Sequence, residues 1–305
     1  MMSSLSLGVV GLGSMGLGMA KNAVKAGLAV KGYDIFEGSR KAFQAAGGEA
    51  VASAAEAAAG ADVLLLMVVN AEQVDEVLFG EAAVAEVLPR GAVVMICCTA
   101  APKAVREIAA RLEAQGLLVL DAPVSGGKVG AEAGTLTVMA SGSEAAFAKT
   151  RRVLDAVAKE VRDLGREAGL GATYKVVHQL AAGVNLAVAA EVMALGAQMG
   201  CDPQTLFDIV SKSAGQSWMF VDRVPRMLAD DFTPTSMVDI FVKDLGLVVG
   251  AGYDSKTPLP LAAAALQLFV AASAMGHGKI DDAAVVKVYE SATGARVKRR
   301  VGAKD

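Results

Sequence analysis

This chain of 305 residues is poor in cysteine, histidine and aromatic side chains, and each shortage closes off a class of protein. Three cysteines do not make a disulfide framework. Cys97 and Cys98 are adjacent inside an apolar run and Cys201 follows a helical segment, so reduced, buried thiols in a cytoplasmic protein are expected. Two histidines, His178 and His277, offer no zinc-ligand spacing, and no metal site is expected. Aromatics make up only 5% of the chain, while Ala, Gly, Val and Leu carry most of its 54% apolar residues. That mixture suits close-packed helices and a buried parallel sheet better than a β-sandwich. A net charge of −3 argues against a nucleic-acid surface, and the basic cluster Lys298, Arg299 and Arg300 reads as a solvated tail. The N-terminus lacks the basic region of a signal peptide. Two apolar segments, 180–198 and 258–276, are interrupted by Asn185 and Glu191 and by Gln267 behind a pair of prolines. They read as packed core helices, with no membrane partner expected.

What is present is an ordered alternation. An apolar run to Val10 leads into Gly11-Leu12-Gly13-Ser14-Met15-Gly16, a helical pattern to Gly27, and a second run from Ala29 that ends at Asp34. Strand, glycine-rich turn, helix, strand and acid are the elements of a dinucleotide-binding unit. The first two glycines let the backbone approach a pyrophosphate and the third permits close helix–strand packing, while the helix N-terminus supplies N–H donors. Asp34 can accept from an adenosine ribose and would repel a 2′-phosphate, so NAD is expected over NADP. The alternative is a flavodoxin-like turn with no nucleotide. Further apolar runs at 62–69, 92–98 and 117–120 alternate with helical stretches, as in a parallel, doubly wound sheet. Residues 135–141 predict an antiparallel edge strand, and 161–164 a last short one. Ligands of such sheets bind beyond the carboxyl ends of the strands, where Val69-Asn70, Thr99 and Ser125-Gly126-Gly127 fall. The last three residues make either a small anion nest for a substrate carboxylate or an ordinary loop.

After Gly165 the strands stop. The spacing predicts an all-helical region: a long helix from Gly169 to about Met199, then Asp202-Pro203 opening another, then helices over 217–228, 236–252, 258–275 and 281–289. The boundaries are therefore 1–165 for an NAD-binding α/β domain and 166–305 for an all-helical substrate and oligomerisation domain. Lys175 stands on an otherwise uncharged helical face, one turn before His178 and Gln179. A buried lysine of lowered pKa can take the proton of an alcohol during hydride transfer; the alternative is a snorkelling surface lysine. Gln179 can donate to the reacting oxygen and His178 can hold a substrate hydroxyl, or serve as a core histidine. Lys243-Asp244 reads as a structural ion pair.

The motifs GLGSMG, DAPVSGG, GLGATYK and FVKDLG, in this order along nearly the whole chain, resemble the β-hydroxyacid dehydrogenase family, which includes 3-hydroxyisobutyrate dehydrogenase and tartronate semialdehyde reductase. The resemblance implies a Rossmann domain, a helical domain and a homodimer or homotetramer formed through the helical halves. It implies that Ser125, Gly126 and Gly127 hold the substrate carboxylate, that Lys175 is the catalytic lysine, and that Lys243 lies near nicotinamide and substrate. Gly11 to Gly16, Asp34, Val69, Asn70 and Thr99 would line the cofactor. Typical members carry asparagine where this chain has Gln179. The run KVVHQLAAGVN looks like the branch oxidising L-threonate with NAD to 2-dehydro-L-erythronate, which sets the expectation for substrate. A 3-hydroxyisobutyrate dehydrogenase, a tartronate or succinic semialdehyde reductase, and a non-catalytic scaffold are the alternatives.

Overall fold

The protein is described by a computed structural model covering residues 5–298, so Arg299 and Arg300 of the basic cluster lie outside the described residues. It divides into two compact units, Met1–Val176 and Val177–Asp305. The division falls inside one continuous helix, Leu170–Gln198.

The first unit is an α/β sheet structure. Its strands are β1 (Ser6–Val10), β2 (Ala29–Tyr33), β3 (Glu49–Ala50), β4 (Val63–Leu66), β5 (Val93–Ile96), β6 (Leu118–Asp121), β7 (Val124–Ser125), β8 (Leu136–Gly142) and β9 (Ala158–Asp163). They lie in the order β3-β2-β1-β4-β5-β6-β8-β7, with β9 pairing β8. The first six are parallel throughout, and their order is that of a dinucleotide-binding sheet, which reverses direction beside β1. Strands β4 and β5 are buried at every residue because helices cover both faces, which is why they read as unbroken apolar runs. Alternate side chains divide between two cores. Val9, Leu65 and Met95 pack with Met19, Ala20 and Ala23 of the helix Gly16–Lys25. Val10, Leu64, Leu66, Val94 and Ile96 pack with Val105, Ile108 and Leu112 of the helix Pro102–Ala114.

Strand β8 is antiparallel to β6, as its alternation predicts, but it is not an edge: β7 and β9 also pair with it. Cys97 and Cys98 are buried as expected, whereas Cys201 is exposed, because the preceding helix ends at Gln198 and Cys201 sits in the turn beyond it.

The second unit is helical. Its helices after the long one are Pro203–Val210, Trp218–Ala229, Val238–Asp254 and Pro260–Ala272, then a π turn at Ser273–His277, a 3₁₀ turn at Asp282–Val285 and the helix Val286–Thr293. Asp202 caps the first of these through its carboxylate, 2.8 Å from the Thr205 N–H, with Pro203 in the first turn. The helix expected over 258–275 turns π-helical at Ser273, where Gly276 has φ +89°. Leu170–Gln198 and Pro260–His277 are long and apolar enough to cross a membrane by length and composition, with mean hydropathies of 1.7 and 1.3.

Candidate active site

The turn after β1 has a distinct reason for each glycine. Gly11 has φ +94°, and a Cβ there would meet the Met67 carbonyl oxygen at 2.3 Å. A Cβ on Gly16 would meet the Gly11 carbonyl oxygen at 1.9 Å, so that glycine lets the helix start directly under the turn. Gly13 is different: a Cβ there would touch nothing within 4 Å. No protein packing accounts for glycine at that place, and an open backbone at the N-terminus of Gly16–Lys25 is the cradle a pyrophosphate needs. Gly11 is thus required by the packing of the turn against the strand β4 side, whatever it also does for a phosphate. The flanking Leu12 is buried, Met15 half-buried and Ser14 exposed.

Asp34, at the end of β2, is buried. One carboxylate oxygen accepts from the Leu12 N–H at 2.7 Å and the other from the Phe36 N–H at 2.8 Å. The acid thus ties the glycine turn to the loop after β2, and each oxygen keeps a lone pair for a ribose hydroxyl. Ile35 and Phe36, immediately beyond, are exposed apolar side chains. Arg40 donates to the main-chain carbonyls of Asp34 and Ile35. The residues present fit NAD.

The other expected cofactor and carboxylate residues fall past the carboxyl ends of strands. Val69 is exposed after β4, and Asn70 caps the helix Ala71–Phe79 by accepting from the Gln73 N–H at 2.9 Å. Thr99 follows β5 and is half-buried. Ser125 closes β7, and Gly126 and Gly127 have φ +129° and +61°, leading into the helix Gly127–Ala133.

Asp121, which ends β6, is a residue the sequence reading passed over. A single carboxylate oxygen accepts from the N–H groups of Gly169 and Ala172, both at 2.9 Å, and from the Ser141 hydroxyl at 3.4 Å. Ser141 in turn accepts from the Gly171 N–H at 3.0 Å. These bonds satisfy the orphan donors of the long helix's first turn. A Cβ on Gly171 would lie 2.4 Å from the Met139 carbonyl oxygen, so only glycine lets the helix begin so close to β8. Burial pushes the Asp121 carboxyl up to about 6, against the pull of its N–H partners. Lys175 follows one turn later and is 6% exposed, which removes the snorkelling alternative.

Gln179 is four residues on, about 6 Å along the helix axis from Lys175, and it is also buried. Its amide donates to Asp244 Oδ2 in the helix Val238–Asp254, while its oxygen lies 3.0 Å from His178 Nδ1. One of the two Gln179 N–H donors is thus committed to Asp244, which leaves the other for the reacting oxygen expected from sequence. Lys243 Nζ is 2.7 Å from Asp244 Oδ1, the ion pair expected from sequence. That contact is short but off the direction of a hydrogen bond, which leaves Oδ1 buried without a hydrogen-bonding donor. In this unit the fold thus brings together His178, Gln179, Lys243 and Asp244. Among the described residues no group of three or more His, Cys, Asp or Glu is placed to hold a metal.

A reversed parallel sheet, an open glycine turn and a buried acid after the second strand define an NAD-binding oxidoreductase with a helical second unit. Residues 6–165 match the NAD-binding domain of 6-phosphogluconate dehydrogenase, and residues 169–289 match the NAD-binding domain of NADP-dependent 3-hydroxyisobutyrate dehydrogenase. The chain is 47% identical to an L-threonate dehydrogenase of Cupriavidus necator over 94% of its length and 96% of that protein. With the L-threonate dehydrogenase of Escherichia coli (strain K12) the identity is 48%, over 95% of this chain and 97% of that one. A crystal structure of a 3-hydroxyisobutyrate dehydrogenase from Salmonella typhimurium superposes with a TM-score of 0.89 at 48% identity, covering 93% of this chain and all of the other. The chain belongs to the 3-hydroxyisobutyrate dehydrogenase-like family of hydroxyacid dehydrogenases.

Proposed function

We propose that this enzyme oxidises a polyhydroxylated four-carbon acid, L-threonate, with NAD in preference to NADP, and that Lys175 is the general base. The observation that carries the reading is a lysine held 6% exposed in the first turns of a helix whose start is fastened to the sheet by Asp121. Bound NAD supplies the hydride acceptor. Lys175, as the neutral amine, accepts the proton of the substrate hydroxyl at Nζ. Ser125 and the N–H groups of Gly126 and Gly127 hold the carboxylate. Asp34 holds the ribose and disfavours a 2′-phosphate. Val69, Asn70 and Thr99 line the cofactor, and Lys243 stands near nicotinamide and substrate. The identity of about half the residues with L-threonate dehydrogenases supports the choice of acid.

A second reading is 3-hydroxyisobutyrate, favoured by the name of the Salmonella typhimurium structure; against it stands Gln179 where the family carries asparagine. The same reading places the protein in the cytoplasm and pairs the helical units of two or four copies. Val188, Leu195, Met199 and Leu261 are exposed apolar side chains of that unit, suited to cover by a second chain. The test is NADH formation with L-threonate, other sugar acids and 3-hydroxyisobutyrate, each with NAD and NADP. L-threonate with NAD is expected to give the highest kcat/KM. A higher value for 3-hydroxyisobutyrate rejects the choice of substrate, and no turnover of any acid rejects the activity.

A further inference from the structure

We propose that Asp244, acting through Gln179, fixes which nitrogen of His178 carries the proton, so that Nε2 is an acceptor for a hydroxyl of the substrate. The argument is one of donors and acceptors. Asp244 is buried beside the Lys243 ammonium, 2.7 Å away, and an ionised carboxylate can only accept. The Gln179 atom bonded to it must therefore be the amide nitrogen. The Gln179 oxygen is then left facing His178, and an oxygen can only accept, so Nδ1, 3.0 Å away, carries hydrogen. In a neutral imidazole the other nitrogen, Nε2, bears the lone pair. The polarity set by one buried acid is thus carried across two side chains to a half-buried ring at the surface of the helix.

The spacing makes this particular to glutamine. One glutamine amide reaches both Asp244 on the neighbouring helix and the His178 ring on its own, and asparagine is shorter by one methylene. His178, Gln179 and Asp244 therefore act as one device: His178 reads the hydroxyl, while Gln179 and Asp244 are positioning residues. The inference rests on the reading of the enzyme as an oxidiser of polyhydroxylated acids. A hydroxyl is a donor, and an Nε2 lone pair gives a reason for favouring an acid with hydroxyls beyond the one oxidised over an acid with a single hydroxyl.

The test uses the whole enzyme labelled with ¹⁵N-histidine. The chain has two histidines, so one variant, His277→Gln, assigns both rings. At a pH where the rings are neutral, His178 should show a protonated Nδ1 and a bare Nε2. Gln179→Met keeps length and shape but removes both hydrogen bonds, and should move the proton toward Nε2. Asp244→Asn can donate as well as accept, and with its oxygen drawn to the Lys243 ammonium its NH2 faces Gln179, so the amide should turn round and the His178 proton should move toward Nε2. In kinetics, Gln179→Met should lower the preference for L-threonate over 3-hydroxyisobutyrate about ten-fold, the size of one hydrogen bond, with the larger part in KM. A bare Nδ1 in the wild type overturns the proposal, as does an unchanged ring pattern or an unchanged preference in Gln179→Met. Turnover of no acid at all would refute the assigned activity instead, while the ring pattern still decides the polarity relay.

Discussion

Two buried carboxylates, one in each unit, are displaced to the same degree by the same force yet held in opposite ways. Asp121 and Asp282 are both pushed to about 6 by burial. Asp121 is held by neutral groups, the N–H donors at the start of the long helix and a serine hydroxyl. Asp282 is held by charge: Arg223 Nε lies 2.7 Å from one oxygen, and Arg223 also pairs with Asp222. Removal from water therefore outweighs a favourable partner of either kind. The difference lies in what remains when a partner is removed, backbone donors in one case and, in the other, a buried carboxylate that keeps Ser236 but has lost its counter-charge.

The largest effects should come from these two sites, beginning with the charged one. Arg223→Ala leaves Asp282 without its ion-pair partner in the interior and should destabilise the protein by about 3–5 kcal/mol in chemical denaturation. Replacing Arg223 and Asp282 together by Met and Leu should recover most of that loss; a double variant as unstable as the single one would contradict the desolvation account. At the neutral site, Asp121→Ala orphans two N–H groups and should lose about 2–6 kcal/mol, at 1–3 kcal/mol for each unsatisfied donor. Asp121→Asn keeps an oxygen in place and should lose much less. Equal losses for Ala and Asn would mean that the charge, not the cap, matters.

Titration sharpens the same contrast. The Asp121 carboxyl titrates near 3.8 unfolded and at about 6 folded, so between those values the folded state binds more protons. Stability therefore falls as pH rises through that window, by up to about 3 kcal/mol from this group. In Asp121→Asn this component is absent. Measured at pH 4 and pH 7, the variant should gain on the wild type with rising pH; a gap that does not move contradicts the assigned displacement. The smallest effect is expected at Asp34. Asp34→Asn removes the charge that opposes a 2′-phosphate and should reduce the preference for NAD over NADP about ten-fold, some 1.4 kcal/mol, as read from the ratio of kcat/KM values. Undiminished discrimination would remove Asp34 from that role.

The sheet was legible because its strands are buried on both faces and announce themselves as apolar runs. β3 was not, since Glu49–Ala50 has two residues and no such run. β8 was legible as antiparallel but not as internal, because the two-residue β7 that pairs with it carries no pattern of its own. Within the site, the glycine turn could be read because all its parts are contiguous. Asp121 could not, because its partners Gly169 and Ala172 are 48 and 51 residues away and are backbone atoms of no particular residue type. Gln179 was found by its place beside Lys175, but its engagement with Asp244 joins positions 65 apart. Lys175 itself is legible as one charge on an apolar face, whereas its burial depends on packing from distant parts of the chain.

The most direct test of the account is NADH formation from L-threonate by Lys175→Met at saturating NAD, alongside fluorescence titration of NADH binding. Loss of a positioned general base should lower kcat by about a hundred- to ten-thousand-fold while NADH binding stays near that of the wild type. A variant that keeps the wild-type rate would contradict the assignment of Lys175 as the base.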